Sequence, residues 1–193
     1  MFRLEGQRTF LVPFEERHLR DEEYFGWLRD YEVVKTINRL EYVRPVSFAE
    51  VKEYCESVCR SRSDVFLAIY SKYSAPEEST KGEERFIGTI RASRLDLVNR
   101  TADVGILIGN RAYWGRGIAT DALTVLCRYL FERLGLRKLT AGLMKINPAM
   151  LRVFEKLGFR VEGVFRKQDY FEGDYVDHVY LGCFREEFVP PAK

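Results

Sequence analysis

Near the middle of the chain an apolar run, residues 102–108 (ADVGILI), passes through GNRAYWGRG into a segment where Leu123, Leu126, Leu130 and Leu134 recur at three- and four-residue spacing. The apolar period thus changes from that of a strand to that of a helix, with Gly115-Arg116-Gly117 at the change. A strand that feeds a helix through a glycine turn leaves backbone N–H groups unpaired at the positive end of the helix dipole, which is a place for an anion. Glycine lets the backbone approach that anion closely, and Arg116 adds a charged donor. Taken alone, a Gly-x-Gly turn before a helix is also compatible with a plain connection.

Two familiar nucleotide loops are excluded by spacing. The chain has no G-x-x-x-x-G-K-[ST] run, and Thr120 stands where a dinucleotide fingerprint needs its third glycine. The 31 Lys and Arg nearly balance the 29 Asp and Glu, a net charge of +2. That balance excludes a dedicated nucleic-acid binder and requires any anion site to be local. No apolar run approaches the roughly 18 residues of a membrane span, and MFRLEGQRTFLVPF lacks the apolar region of a signal peptide. A cytoplasmic protein with no membrane partner is expected. Cys55, Cys59, Cys127 and Cys183 read as buried free thiols, since a zinc site needs four converging ligands and His18 and His178 are the only histidines. No metal is expected.

Around the central unit the patterns predict a strand over 9–14 (TFLVPF), a helix over 17–30 with Leu19, Phe25 and Leu28 inward, and a helix from Ser47 to about residue 60. Ser47 and Glu50 form a capping box for the latter. Strands follow at 65–70 and 85–93, joined by a polar segment with Pro76 and Gly82 that reads as a mobile hairpin loop. A strand at 138–144, a helix at 148–157 and strands at 159–166 and 175–184 complete the order, with the last turn at Glu172-Gly173-Asp174. This is an α/β (α+β) arrangement: one mixed sheet with helices on it.

Residues 112–122 (AYWGRGIATDA) resemble the acetyl-CoA loop of the GNAT acetyltransferase superfamily in the form typical of its RimJ/RimL-like branch. Residues 147–159 (NPAMLRVFEKLGF) resemble that branch's N-x-x-S-x-x-V-x-E-K-x-G-F segment, and 162–166 (EGVFR) with Gly173 and Asp177 continues it. A fainter match lies at 26–33 (GWLRDYEV). The resemblance implies a single GNAT-like domain over 1–193 with a central splayed, mostly antiparallel sheet. Residues 1–62 would carry the first strand and acceptor-side helices, 63–145 the central sheet and CoA loop, and 146–193 the last helix and hairpin.

It further implies acetyl-CoA as cosubstrate, its pantetheine arm lying between the strands at 102–108 and 138–144 and pairing with Ile106, Leu107 and Ile108 as an added strand would. The pyrophosphate would sit on N–H groups of Trp114, Gly115, Arg116, Gly117, Ile118 and Ala119, with Thr120 in the same turn and Arg111 beside the loop. Asn147 would bond the pantetheine or thioester. Arg152 and Lys156, four apart, would reach the nucleotide phosphate, although they also fit a solvated helix face; Phe154 lies between them. Direct attack by an amine is implied, with an oxyanion held by an N–H near 106–108.

Two departures matter. Met150 and Phe154 stand where relatives carry the Ser or Tyr that protonates the leaving thiolate, and Ala112 replaces an Arg or Gln before the glycines. For the base, Asp103 is the first candidate and Glu32, Glu41 and His178 the others; each also reads as an ordinary strand-end, surface or hydrogen-bonded residue. Arg166 and Asp177 are expected to face each other across the last hairpin as a structural pair. Tyr24, Phe25, Trp27, Tyr31, Tyr42 and Phe48 are expected to be mostly core. The function expected is N-acetylation of a small-molecule or peptide amine: a protein N-terminus, an amino sugar or another metabolite. The rival is a non-catalytic acyl-CoA-binding or interaction protein that kept the fold. A homodimer fits the family resemblance.

Overall fold

A computed structural model describes residues 2–37, 44–75 and 84–191. Eight strands form one sheet in the order β1-β2-β3-β4-β5-β6-β8-β7. They are β1 (Leu4–Glu5), β2 (Thr9–Pro13), β3 (Val65–Ser71), β4 (Arg85–Asp96), β5 (Thr101–Ile108), β6 (Lys138–Met144), β7 (Arg160–Phe171) and β8 (Asp174–Phe184). Every neighbouring pair is antiparallel except β5 and β6, which are parallel. A parallel pair needs a crossover, and α5 (Ile118–Arg128) supplies it. The short strand β1 is the one strand that the apolar pattern left unmarked.

Side chains alternate across the sheet, so each strand feeds two cores. Ala102 and Val104 of β5, Leu139, Ala141 and Leu143 of β6, and Val179, Leu181 and Cys183 of β8 join the core under α5 and α6 (Pro148–Lys156). Leu123, Leu126 and Leu130 are fully buried there, each contributing about 1.5–3 kcal/mol through burial. Leu134 follows a π turn at Tyr129–Arg133 and is partly buried, but it still packs against this core. Asp121, in the first turn of α5, accepts from the N–H groups of Gln7, Arg8 and Thr9 at 2.8–3.0 Å, which ties the β1–β2 turn to the helix.

The other face is covered by the N-terminal helices. The expected single helix over 17–30 is two, α1 (Glu16–Leu19) and α2 (Glu22–Trp27), because Asp21 accepts from the Glu23 N–H and restarts the helix. Asp30 does the same for α3 (Tyr31–Val34). The Ser47–Glu50 capping box starts α4 (Phe48–Arg60) as expected. Tyr24 and Trp27 are core, packed with Phe14 and Phe86, but Tyr31 and Phe48 are each 45% exposed. Tyr42 lies outside the described residues, as do Pro76 and Gly82 of the polar connection.

The thiol expectation needs one correction. Cys55, Cys127 and Cys183 are buried, whereas Cys59 is exposed at the end of α4. Burial pushes the Cys127 thiol up, and Cys183 up to about 12, so both are poor nucleophiles. Among the described residues no helix is long and apolar enough to cross a membrane.

Candidate active site

The parallel strands β5 and β6 are paired over only three residues each, Thr101↔Lys138, Ala102↔Leu139 and Asp103↔Thr140. Beyond Asp103 they part, while β5 stays paired to β4 through Ile108. The edge of β5 over residues 104–108 is thereby left without a strand beside it. A cavity of about 850 Å³ opens there, and Ile106, Leu107 and Ile108 line it. Two glycines widen its floor: Gly105 and Gly142 alternate with Asp103, Leu107, Thr140 and Met144 on the face toward the N-terminal helices, and Gly105 meets nothing where a Cβ would stand.

The loop after β5 ends at the N-terminus of α5. Gly115 and Gly117 have φ of +71° and +76°, values that a side chain would strain. Gly117 is the N-cap and offers no side-chain acceptor, so the first N–H groups of α5 open into the cavity. Trp114, Gly115, Gly117, Ile118, Ala119 and Thr120 all line it. The loop is stiffened from within: the Trp114 indole donates to the Ile108 carbonyl at 2.8 Å, and Arg116 Nε donates to the Ala112 carbonyl at 2.6 Å. Arg116 faces a second cleft, shared with Arg8, on the outer side of the loop. Arg111 is drawn away from the cavity toward Asp30, 3.5 Å distant.

On the far wall α6 starts at Asn147, whose side chain accepts from the Met150 N–H at 3.1 Å and donates to Thr36 Oγ1 at 3.2 Å. Asn147 therefore links the start of α6 to the N-terminal helical region while lining the cavity. Arg152 and Lys156 are exposed on the cavity side of α6. Phe154 is a core residue, stacked edge-on with Phe159 at 5.0 Å, and its ring forms cavity wall.

An uncapped helix N-terminus beside a three-residue parallel junction is the arrangement that the loop motif implied. The family profile described as "Acetyltransferase (GNAT) domain" matches residues 8–160. The chain belongs to the GNAT acetyltransferases. The "Probable N-acetyltransferase YjcK" of Bacillus subtilis is 35% identical over 111 residues, which is 56% of this GNAT chain and 60% of that protein. Among solved structures, spermidine N-acetyltransferase from Vibrio cholerae in complex with CoA and spermine superposes with a TM-score of 0.79 at 18% identity, covering 94% of this chain and 98% of that one. Mycobacterium smegmatis RimJ in complex with CoA-disulfide superposes at 0.78 and 19%, covering 99% and 90%. At those identities the structures establish the fold.

Among the described residues, two carboxylates line the cavity of this GNAT chain, and both are engaged. Asp103 accepts from Thr140 Oγ1 at 2.8 Å and pairs with Arg94 at 3.1 Å. Glu32 pairs with Lys35 at 2.7 Å. Glu41 lies outside the described residues. Arg91, opposite Gly105 in the β4–β5 register, is held by Asp64 at 2.8 Å and by the Tyr54 hydroxyl at 2.9 Å.

His178 is placed differently. Its Nδ1 lies 2.6 Å from Asp169 Oδ2, Asp169 is buried, and the imidazole stands over Gly142 where a Cβ would collide with Nε2. Asp169 was not marked by the sequence patterns. A bulge in β7 between Phe165 and Asp169, with Lys167 at φ +53°, pairs Asp169 with Val176, two residues from His178, and Asp169 is the one buried position of β7. Asp177 ion-pairs with Lys145 at 3.0 Å rather than directly with Arg166 and accepts from the Lys167 N–H. The Lys145 contact, then that N–H, holds its carboxyl below the usual range.

Proposed function

We propose that this chain transfers an acetyl group from acetyl-CoA directly to a primary amine, and that it belongs to the RimJ/RimL-like branch. The observation that carries the reading is the parting of β5 and β6 beside the uncapped start of α5. A pantetheine arm fits that gap as an added strand against Ile106 and Leu107, the Ile108 carbonyl being held by Trp114. The pyrophosphate takes the N–H groups from Gly115 to Ala119, and Arg152 and Lys156 stand where the remaining phosphate ends. A β5 N–H freed by the parting of the strands polarises the thioester carbonyl and stabilises the oxyanion.

Charge decides among acceptors. A polyamine carries two or more cations and needs unpaired carboxylates, yet Glu32 and Asp103, the carboxylates lining the described cavity, are matched by Lys35 and Arg94. Adding a polycation would break those pairs or leave its own charges uncompensated. The pairing of these carboxylates favours an amine on a body with no further positive charge, such as a peptide N-terminus or an amino sugar. Spermine in the Vibrio cholerae structure belongs to that protein's site.

The test is thiol release from acetyl-CoA with a panel of N-terminal peptides, amino sugars and polyamines, with products confirmed by mass. Release with peptides or amino sugars well above release with spermidine is expected. Preference for spermidine would sink the charge argument. Tight acetyl-CoA binding with no release for any amine would favour a non-catalytic binding protein, the reading that Met150 and Phe154 support.

A further inference from the structure

With Asp169 ionised and the imidazole neutral, the 2.6 Å contact places the proton on His178 Nδ1 and the lone pair on Nε2. That Nε2 stands over Gly142, two residues beyond Thr140, the last β6 residue paired with β5. The imidazole lines the cavity at the point where the strands part. Its orientation is fixed from three sides: Asp169 from β7, the backbone of Gly142 from below, and the Tyr180 ring at 4.7 Å. Asp103 has the opposite character, with both oxygens engaged by Thr140 and Arg94.

We propose that His178 is the proton shuttle of the transfer, acting first as base and then as acid, and that Asp169 is its positioning residue. This rests on the acetyltransferase reading above. The amine, having lost its ammonium proton to solvent, attacks the thioester carbon; the N–C bond forms and a proton passes from nitrogen to Nε2. The C–S bond then breaks, and the same proton passes from Nε2 to sulfur. Nε2 gains and loses one proton per turnover, and the products are the amide and free thiol. The second half of the shuttle meets the need left by Met150 and Phe154, neither of which can donate.

Three measurements test it. A long-range proton–nitrogen correlation spectrum of the wild-type protein is expected to show His178 protonated at Nδ1 and bare at Nε2; the reverse tautomer overturns the proposal whatever the activity. His178→Ala is expected to lower kcat by about 100-fold or more, with acetyl-CoA affinity and amine KM within about threefold, and free imidazole is expected to restore at least part of the rate. Asp169→Asn, whose amide donates to Nδ1 and moves the proton to Nε2, is expected to lower kcat with KM unchanged. A His178→Ala enzyme within about threefold of wild-type kcat, or a loss that falls on KM and resists imidazole, overturns the shuttle while leaving acetyl transfer standing. Failure of the wild type to release thiol with any amine overturns the functional reading and the shuttle together.

Discussion

The two histidines show how one side-chain type is put to opposite uses. His18 is buried among Phe14, Tyr70 and Phe86, its Nδ1 accepts from the Glu15 N–H at 2.8 Å, and its Nε2 is buried without a partner. Burial, then the charge of Arg17, pushes its pKa below the ordinary 6.5. An unfolded chain takes up a proton near pH 6.5 that the folded one resists, so this group's contribution is complete above that pH and is lost as pH falls through the lower folded value. Urea midpoints measured from about pH 7 to pH 5 should therefore fall more steeply for wild type than for His18→Asn, which keeps an acceptor for Glu15 but does not titrate. Equal slopes would show that His18 is not neutral in the fold. His178 was visible in the sequence as a candidate, but its partner was not. The bulge that brings Asp169 opposite Val176, two residues from His178, leaves no mark in the residue types.

At the scale of elements, what was legible depended on whether the signal was local. The Ser47–Glu50 capping box, the glycine turn and the leucine spacing of α5 are written within a few residues of where they act. The break between α1 and α2 was missed because Asp21 reads equally well as a helix residue or as a cap, and only the approach of the Glu23 N–H decides. Leu134 keeps its place against the core, although the helix ends in a π turn that has no periodic signature of its own. Helix α6 carries the clearest element-level expectation. If the exposed Arg152 and Lys156 hold the nucleotide's separate phosphate, the double variant Arg152→Gln/Lys156→Gln should bind CoA about tenfold more weakly while its affinity for dephospho-CoA stays unchanged. Calorimetric titration of both ligands checks this, and equal loss for the two would return these residues to a solvated face.

For the molecule as a whole, the fold class and the succession of the longer strands along the chain followed from the sequence, while the cavity wall did not, since it is assembled from residues as distant as Glu32, Arg91, Asp103 and His178. Ligand binding should be felt globally. Acetyl-CoA at about 100 times its Kd adds about 2.7 kcal/mol to the native state. In a chain of this size that amounts to a rise in Tm of roughly 5–10 °C by scanning calorimetry. No rise would contradict the donor site itself.

A hydrogen-bonded sheet is also a load path, and between its longer strands, β2 to β8, this one narrows to three residue pairs at β5 and β6. On either side the ladders are longer, Gly88↔Ile108 to Asp96↔Thr101 on one flank and Lys138↔Phe184 to Met144↔His178 on the other. The notch is thus the narrowest junction between the longer strands, bridged from one side by α5. On the proposed function, a donor molecule lodged there would complete the missing rungs and serve, for as long as it stays, as a structural member, so that each cycle would remove and replace a piece of the sheet's framework.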